Sequence, residues 1–203
     1  MTSKTKDFSQ STDEVLVYLA KNGDYNAESC LIERYRETVR ITAASYFSRL
    51  GAFCALSSLE ADDLFQEGLL GLLSAIYSFR EEKNVTFRTY ASKCISNSIK
   101  TAIKTSLRKK HIPPGGIVSI DKIDIPAGES LEERIISDEM ALAVRKFIRD
   151  GLSELESSVI RLFLSELSYS DISDVLGITE KSVDNALQRA RGKLNRFLEE
   201  NRS

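Results

Sequence analysis

Residues 87–110 read FRTYASKCISNSIKTAIKTSLRKK. Phe87, Tyr90, Ala91, Cys94, Ile95, Ile99, Ala102 and Ile103 recur at three- and four-residue spacing, which places them on one side of a helix and predicts a buried stripe. Lys93, Asn97, Lys100, Lys104 and Arg108 recur at the same spacing on another face. Counted from Lys83, the stretch holds eight basic residues (Lys83, Arg88, Lys93, Lys100, Lys104, Arg108, Lys109, Lys110) and no Asp or Glu. Like charges four residues apart repel by roughly 0.2–0.5 kcal/mol per pair, so a solvated helix face normally mixes signs. A polyanion relieves that repulsion; the plain alternative is a solvated face that happens to be basic.

The rest of the chain carries the same periodicity with few alternating runs, so an all-α fold is expected. The spacing predicts helices over Thr12–Lys21, Tyr25–Leu50, Glu60–Tyr77 and Thr86–Arg108. A second set follows over Leu131–Gly151, Ser153–Leu164, Ser168–Leu176 and Thr179–Leu198. Thr12 ahead of Asp13 and Glu14 joins a capping oxygen to negative charge in a first turn, and the Asp62-Asp63 pair adds the same charge near the third helix. Pro113, Pro114 and Pro126, with Gly115, Gly116 and Gly128, mark residues 111–130 as a segment that cannot continue a helix. The expected organisation is a disordered start (1–11), a small helical domain (12–110), a linker (111–130) and a second small helical domain (131–203).

With 203 residues, 42% of them hydrophobic, the chain can build a small core in each domain. A formal net charge of -2 excludes a uniformly basic nucleic-acid binder, so affinity for DNA has to come from segregated charge. The segregation is present: Asp121, Asp124, Glu129, Glu132, Glu133, Asp138 and Glu139 stand against only Lys122 and Arg134 directly after the cationic helix. That acidic run either mimics nucleic acid inside a basic channel or keeps the linker soluble, and both readings stand. Cys30, Cys54 and Cys94 lack a CxxC spacing and sit in helical apolar patterns, which suits buried free thiols in a reducing compartment. No apolar run reaches the length of a membrane span and the first residues are polar, so no membrane partner and a cytoplasmic location are expected.

Ser168–Arg191 carries a second candidate for DNA reading. Ile172, Val175 and Leu176 form the apolar side of a short helix, Gly177-Ile178 supplies a turn, and Thr179 caps the next helix with Glu180 near its positive end. Val183, Ala186, Leu187 and Ala190 then form a packed face that leaves Lys181, Ser182, Asp184, Asn185, Gln188, Arg189 and Arg191 exposed. This is the pattern of a helix-turn-helix, whose second helix enters the major groove by its N-terminal part. Asn185 and Gln188 suit adenine edges, and Lys181 or Arg189 suits guanine or phosphate. A plain helical hairpin with a glycine turn is the alternative, and the first basic element argues against it.

Asp63-Leu64-Phe65-Gln66-Glu67-Gly68 with Gly71-Leu72, followed by Phe87-Arg88-Thr89-Tyr90-Ala91, closely resembles conserved region two of the sigma-70 family of RNA polymerase sigma factors. Ala102-Ile103-Lys104-Thr105, Lys110-His111-Ile112-Pro113 and the run from Ser182 to Arg189 are similar to the alternative members that govern sporulation and competence. The resemblance runs from about Thr12 to Phe197. It implies that the first domain, covering regions 1.2 and 2, docks on core polymerase and reads and melts the minus-ten element. The second domain, region 4, is implied to read the minus-thirty-five element. By the resemblance, Asp63, Gln66, Glu67 and Leu70 dock on the clamp coiled coil of the largest polymerase subunit, while the flap of the second largest subunit is a further contact. Phe87, Arg88, Thr89, Tyr90, Lys93, Asn97, Lys100, Lys104 and Arg108 fall on minus-ten positions. Thr179, Glu180, Lys181, Ser182, Asp184, Asn185, Gln188 and Arg189 fall on minus-thirty-five positions. Taken without the resemblance, Asp63 and Glu67 read as ordinary solvated acids, and Phe87 and Tyr90 serve equally as core aromatics.

The implied partners are core RNA polymerase and promoter DNA, with an anti-sigma factor as a further one; no cofactor and no metal are expected. One departure from the family pattern is clear: housekeeping members carry a tryptophan pair where this chain has Lys93 and Cys94, and the chain holds no Trp. The chain is expected to be a compact alternative factor, with neither a middle helical domain nor an acidic segment ahead of Thr12. The rival class is a stand-alone helix-turn-helix regulator, which needs a dimerisation or ligand-sensing module where this chain has its first domain. An enzyme is not expected, because the only histidine is His111, read as structural or phosphate-facing, and no phosphate loop or nucleophile set is present.

Overall fold

The computed structural model describes residues 8, 10–51, 53–54, 58–81, 85–109 and 135–201. Within them the principal elements are α1 (Asp13–Lys21), α2 (Tyr25–Leu50), α3 (Ala61–Ser78), α4 (Phe87–Lys109), α5 (Ile135–Asp150), α6 (Glu154–Leu164), α7 (Tyr169–Leu176) and α8 (Glu180–Glu200). The all-α expectation holds, and each predicted helix is found within a few residues of its expected bounds. Residues 1–7, the linker 111–130 with His111, and the start of the fifth helix at Leu131 lie outside the described residues. By contacts the chain forms two compact units, residues 1–47 with 58–105 and residues 48–57 with 106–203. This differs from a single break in the linker, since residues 48–57 group with the second unit.

In the first unit α1 starts where Thr12 Oγ1 accepts from the Val15 N–H at 3.4 Å, ahead of two first-turn acids. Asp13 then ties α1 to α2: it accepts from the Tyr35 hydroxyl at 2.5 Å and from Arg34 Nη1 at 2.6 Å. Burial, then the bond to Asp13, push the Tyr35 phenol well above its usual range, so it stays a donor. α1 packs on α3, and the core joins Leu16, Leu31, Val39, Leu64, Leu72, Ile76, Phe87, Ile95 and Ile99. Phe87 sits edge-on to Tyr35 and to Phe79, with ring centroids 5.5 and 5.4 Å away.

Two glycines let α3 approach its neighbours. A Cβ on Gly68 would lie 2.6 Å from Val39 Cγ1. One on Gly71 would lie 2.8 Å from the Cys94 carbonyl oxygen and 3.0 Å from Ile95 Cα, both backbone atoms of α4. The two helices therefore meet backbone to backbone at Gly71.

In the second unit α6 and α7 pack on α8, and α5 adds the stacked pair Phe147 and Phe197 at 4.4 Å. Gly177, at φ 63°, ends α7 in the left-handed conformation that glycine adopts without a Cβ penalty, and the Ile178 N–H closes the turn on the Ser173 carbonyl at 3.1 Å. Cys30, Cys54 and Cys94 are free thiols, and burial pushes Cys54 up to about 12, which keeps it unreactive.

Candidate nucleic-acid interface

On α4 the core side is the four-residue series Phe87, Ala91, Ile95, Ile99, Ile103 and Leu107, all buried. Arg88, Thr89, Lys93 and Asn97 are exposed, and Lys100 and Lys104 are half-buried. Ser92, Thr101 and Thr105 donate their hydroxyls back to the carbonyls four residues earlier, each at 2.9 Å, which leaves the charged and amide side chains as the chemistry of this surface. Arg108 falls in the second unit, where its Nη2 is 2.6 Å from Asp174 and 3.5 Å from Asp171.

Phe87 departs from its expected place on the DNA-facing set. It is fully buried between Tyr35 and Phe79, so it fixes the start of α4 and has no surface to offer a base. Tyr90 is the aromatic at the surface: half-buried, its hydroxyl 3.0 Å from Ser78 Oγ, its ring 5.6 Å from Phe79. With Ser78, Phe79, Arg80 and Val85 it lines a small pocket beside the N-terminus of α4.

One positioning residue was not legible in the sequence. The first turn of α4 carries no acid of its own, and Glu14 of α1 fills that place, accepting from the Phe87 N–H at 3.3 Å. Glu14 lies 73 positions away in the chain, and only the missing first-turn acid hints that a partner is needed.

α3 presents Asp63, Gln66 and Leu70 on its exposed side, with Glu67 half-buried. Asp63 also accepts from the Glu60 N–H at 2.9 Å, so it closes the helix start as well as facing solvent. Leu70 is 57% exposed, and two turns further on Tyr77 is 53% exposed, its hydroxyl donating to Glu28. Tyr77 extends this apolar edge beyond the residues expected from the sequence.

In the second unit Thr179 Oγ1 accepts from the Ser182 N–H at 3.2 Å and starts α8 as expected. Val183, Ala186, Leu187 and Ala190 are buried, and Thr179, Glu180, Lys181, Asn185, Gln188 and Arg189 are exposed, with Ser182 and Asp184 half-buried. The structure thus brings the whole predicted set to one helix. Gln188 Nε2 donates to Asp184 at 3.0 Å. Arg191 turns back over the Phe163 ring at 5.2 Å.

Beneath this helix lies Glu156, which is 3% exposed. It forms the capping box of α6 with Ser153, whose N–H donates to Oε2 at 3.0 Å. Arg189 Nε meets Oε1 at 3.3 Å and Lys193 Nζ meets Oε2 at 2.7 Å. Burial alone raises this carboxyl, but the bonds from Lys193 and Ser153 outweigh it and hold the group down at about 2.

Comparison with known proteins matches both parts of the chain to one family. The family model described as Sigma-70 region 2 matches residues 31–109, and that described as Sigma-70, region 4 matches residues 150–194. The chain is 38% identical to the RNA polymerase sigma-H factor of Bacillus licheniformis, over 95% of this chain and 89% of that protein. It is 38% identical to the RNA polymerase sigma-H factor of Bacillus subtilis, over 96% and 92%. The ECF RNA polymerase sigma-E factor of Haemophilus influenzae is similar at 26% identity, over 90% and 93%. Among the described residues no helix is long and apolar enough to cross a membrane. With a region 2 bundle, a region 4 helix-turn-helix and near full-length relatives of that kind, the chain belongs to the sigma-70 family of RNA polymerase sigma factors.

Proposed function

We propose that this sigma factor binds core RNA polymerase and directs initiation at a specialised set of promoters, of the sporulation and stationary-phase type. The observation that carries the reading is a pair of different DNA-facing surfaces in one chain. α4 offers the exposed cations Arg88 and Lys93 beside an aromatic-lined pocket, and α8 offers a capped helix start with Lys181, Asn185 and Gln188. A helix start of the second kind reads base edges of intact duplex in the major groove. A pocket of the first kind takes a base that has left the stack, while cations hold the phosphates of the separated strand. A protein that uses both meets duplex upstream and opened DNA downstream, which is the task of promoter recognition.

In this reading Arg88, Thr89, Tyr90, Lys93, Asn97, Lys100 and Lys104 serve the minus-ten element, with Arg108 at the end of the same helix. Phe87 supports them from the core. Thr179, Glu180, Lys181, Ser182, Asp184, Asn185, Gln188 and Arg189 serve the minus-thirty-five element. Asp63, Gln66, Glu67 and Leu70 dock on the clamp coiled coil of the largest polymerase subunit, the second domain meets the flap of the second largest, and an anti-sigma factor is a further partner.

Run-off transcription tests the whole proposal: the purified chain added to bacterial core polymerase should give specific transcripts from some members of a promoter panel. Absence of any promoter-specific transcript would overturn it. Asn185→Ala should change which minus-thirty-five sequences are preferred, with a cost of about 1–3 kcal/mol at the base it reads and little elsewhere. An equal loss on every sequence would instead place Asn185 among the phosphate contacts, which position the protein without specifying bases.

A further inference from the structure

We propose that Glu156 is a positioning residue for promoter discrimination, its buried carboxylate holding Arg189 and Lys193 on α8 so that Arg189 is presented in one orientation and Lys193 is kept off DNA phosphates. The proposal rests on the reading of α8 as the minus-thirty-five helix.

Three features carry it. Glu156 is nearly inaccessible, and a buried carboxylate is tolerated only when paired and hydrogen-bonded. Its two oxygens are divided between the cations: Oε1 takes Arg189 Nε at 3.3 Å, and Oε2 takes Lys193 Nζ at 2.7 Å together with the Ser153 N–H at 3.0 Å. Arg189 and Lys193 stand one turn apart, and Arg189 stands one turn beyond the exposed Asn185, so all three share a side of α8.

The choice of atoms matters. Arg189 spends Nε on Glu156 while its side chain remains 56% exposed, so the Nη fork is left for DNA on a side chain whose stem is already fixed. Ordering a long side chain in advance lowers the cost of using it at an interface. Lys193 is in the opposite position: it has one charged group, that group sits on the carboxylate, and its side chain is 38% exposed. The negative charge also offsets non-specific attraction to the phosphate backbone, which carries no sequence information. Glu156 therefore works on selectivity by restraining charge, a contribution beyond the capping of α6.

The test uses the full chain with bacterial core polymerase and promoter duplexes randomised over the six base pairs of the minus-thirty-five segment, the bound fraction being sequenced at several salt concentrations. Glu156→Gln keeps an acceptor for Ser153 but removes the negative charge that holds both cations. The variant should bind poor sequences more tightly than the parent, compress the spread of enrichment several-fold, and lose affinity more steeply with salt. Each newly made phosphate contact should add about 0.9 to the logarithmic slope. A residue that only capped α6 would lower stability and leave the enrichment profile of the bound protein unchanged, and that outcome would overturn the proposal.

Lys193→Gln gives a second measurement that does not depend on the folding of the first variant, since Arg189 still partners the carboxylate. Its salt slope should equal that of the parent. A slope smaller by about 0.9 would show Lys193 on a phosphate and overturn the proposal. If the parent chain itself enriches no sequence in the randomised segment, the reading of α8 fails and the role of Glu156 falls with it.

Discussion

Gly71→Ala should lower the melting temperature of the first unit by several degrees, against the direction that helix propensity alone dictates. Alanine inside a helix is favoured over glycine by about 1 kcal/mol. At Gly71 the added methyl would meet the Cys94 carbonyl oxygen at 2.8 Å, Ser98 Cβ at 2.9 Å and Ile95 Cα at 3.0 Å. Two of these atoms are backbone and cannot swing aside, so α3 and α4 must separate. Overpacking of this kind costs typically about 1–3 kcal/mol and more where the backbone has to shift, which exceeds the propensity gain. With a net loss of about 1–2 kcal/mol, a domain of this size melts roughly 4–16 °C lower. Gly192→Ala on α8 is the control, because nothing lies within 4 Å of its added Cβ. That variant should keep the propensity gain of about 1 kcal/mol and melt roughly 4–8 °C higher. Thermal unfolding followed by circular dichroism separates the two; equal stabilisation by both would show that α3 and α4 part freely.

Leu70→Glu should weaken competition for core polymerase by roughly 100-fold while leaving the fold intact. Leu70 is 57% exposed on the outer side of α3, so the unbound chain loses little when it changes. At a docked surface a leucine of this kind contributes about 1.5–3 kcal/mol through removal of apolar area from water. A carboxylate in its place adds the cost of a charge taken into an interface without a partner. A total of 3 kcal/mol or more corresponds to roughly 100-fold weaker binding. The measurement is displacement of a labelled parent chain from core polymerase, with the melting curve as the check on folding. Binding within about twofold of the parent would move the docking surface off this side of α3.

Helices were legible because their signals are local. The four-residue series from Phe87 to Ile103 and the caps Thr12 and Thr179 depend on neighbours within a turn or two, and the structure places each as expected. The helix-turn-helix was legible for the same reason, since Gly177 and Thr179 state the turn and the restart in adjacent positions. Sequence periodicity could not separate the two aromatics of the proposed minus-ten set. Phe87 and Tyr90 both lie on the apolar side, and only packing against Tyr35 and Phe79 buries the first while leaving the second at a pocket edge. Glu14 and Glu156 escaped the sequence reading because their partners, Phe87 in one case and Arg189 and Lys193 in the other, are distant in the chain.

The reach of α1 bears on where the first domain begins. The region 2 match starts at Leu31, yet Glu14 holds the first N–H of α4, and Lys21 donates its ammonium to the Phe79 carbonyl at the end of α3. Both strands of this stitching belong to a helix that the region 2 match leaves out. A chain shortened to begin at Leu31 would keep every residue proposed to touch promoter or polymerase, and would present them on helices whose ends had come undone.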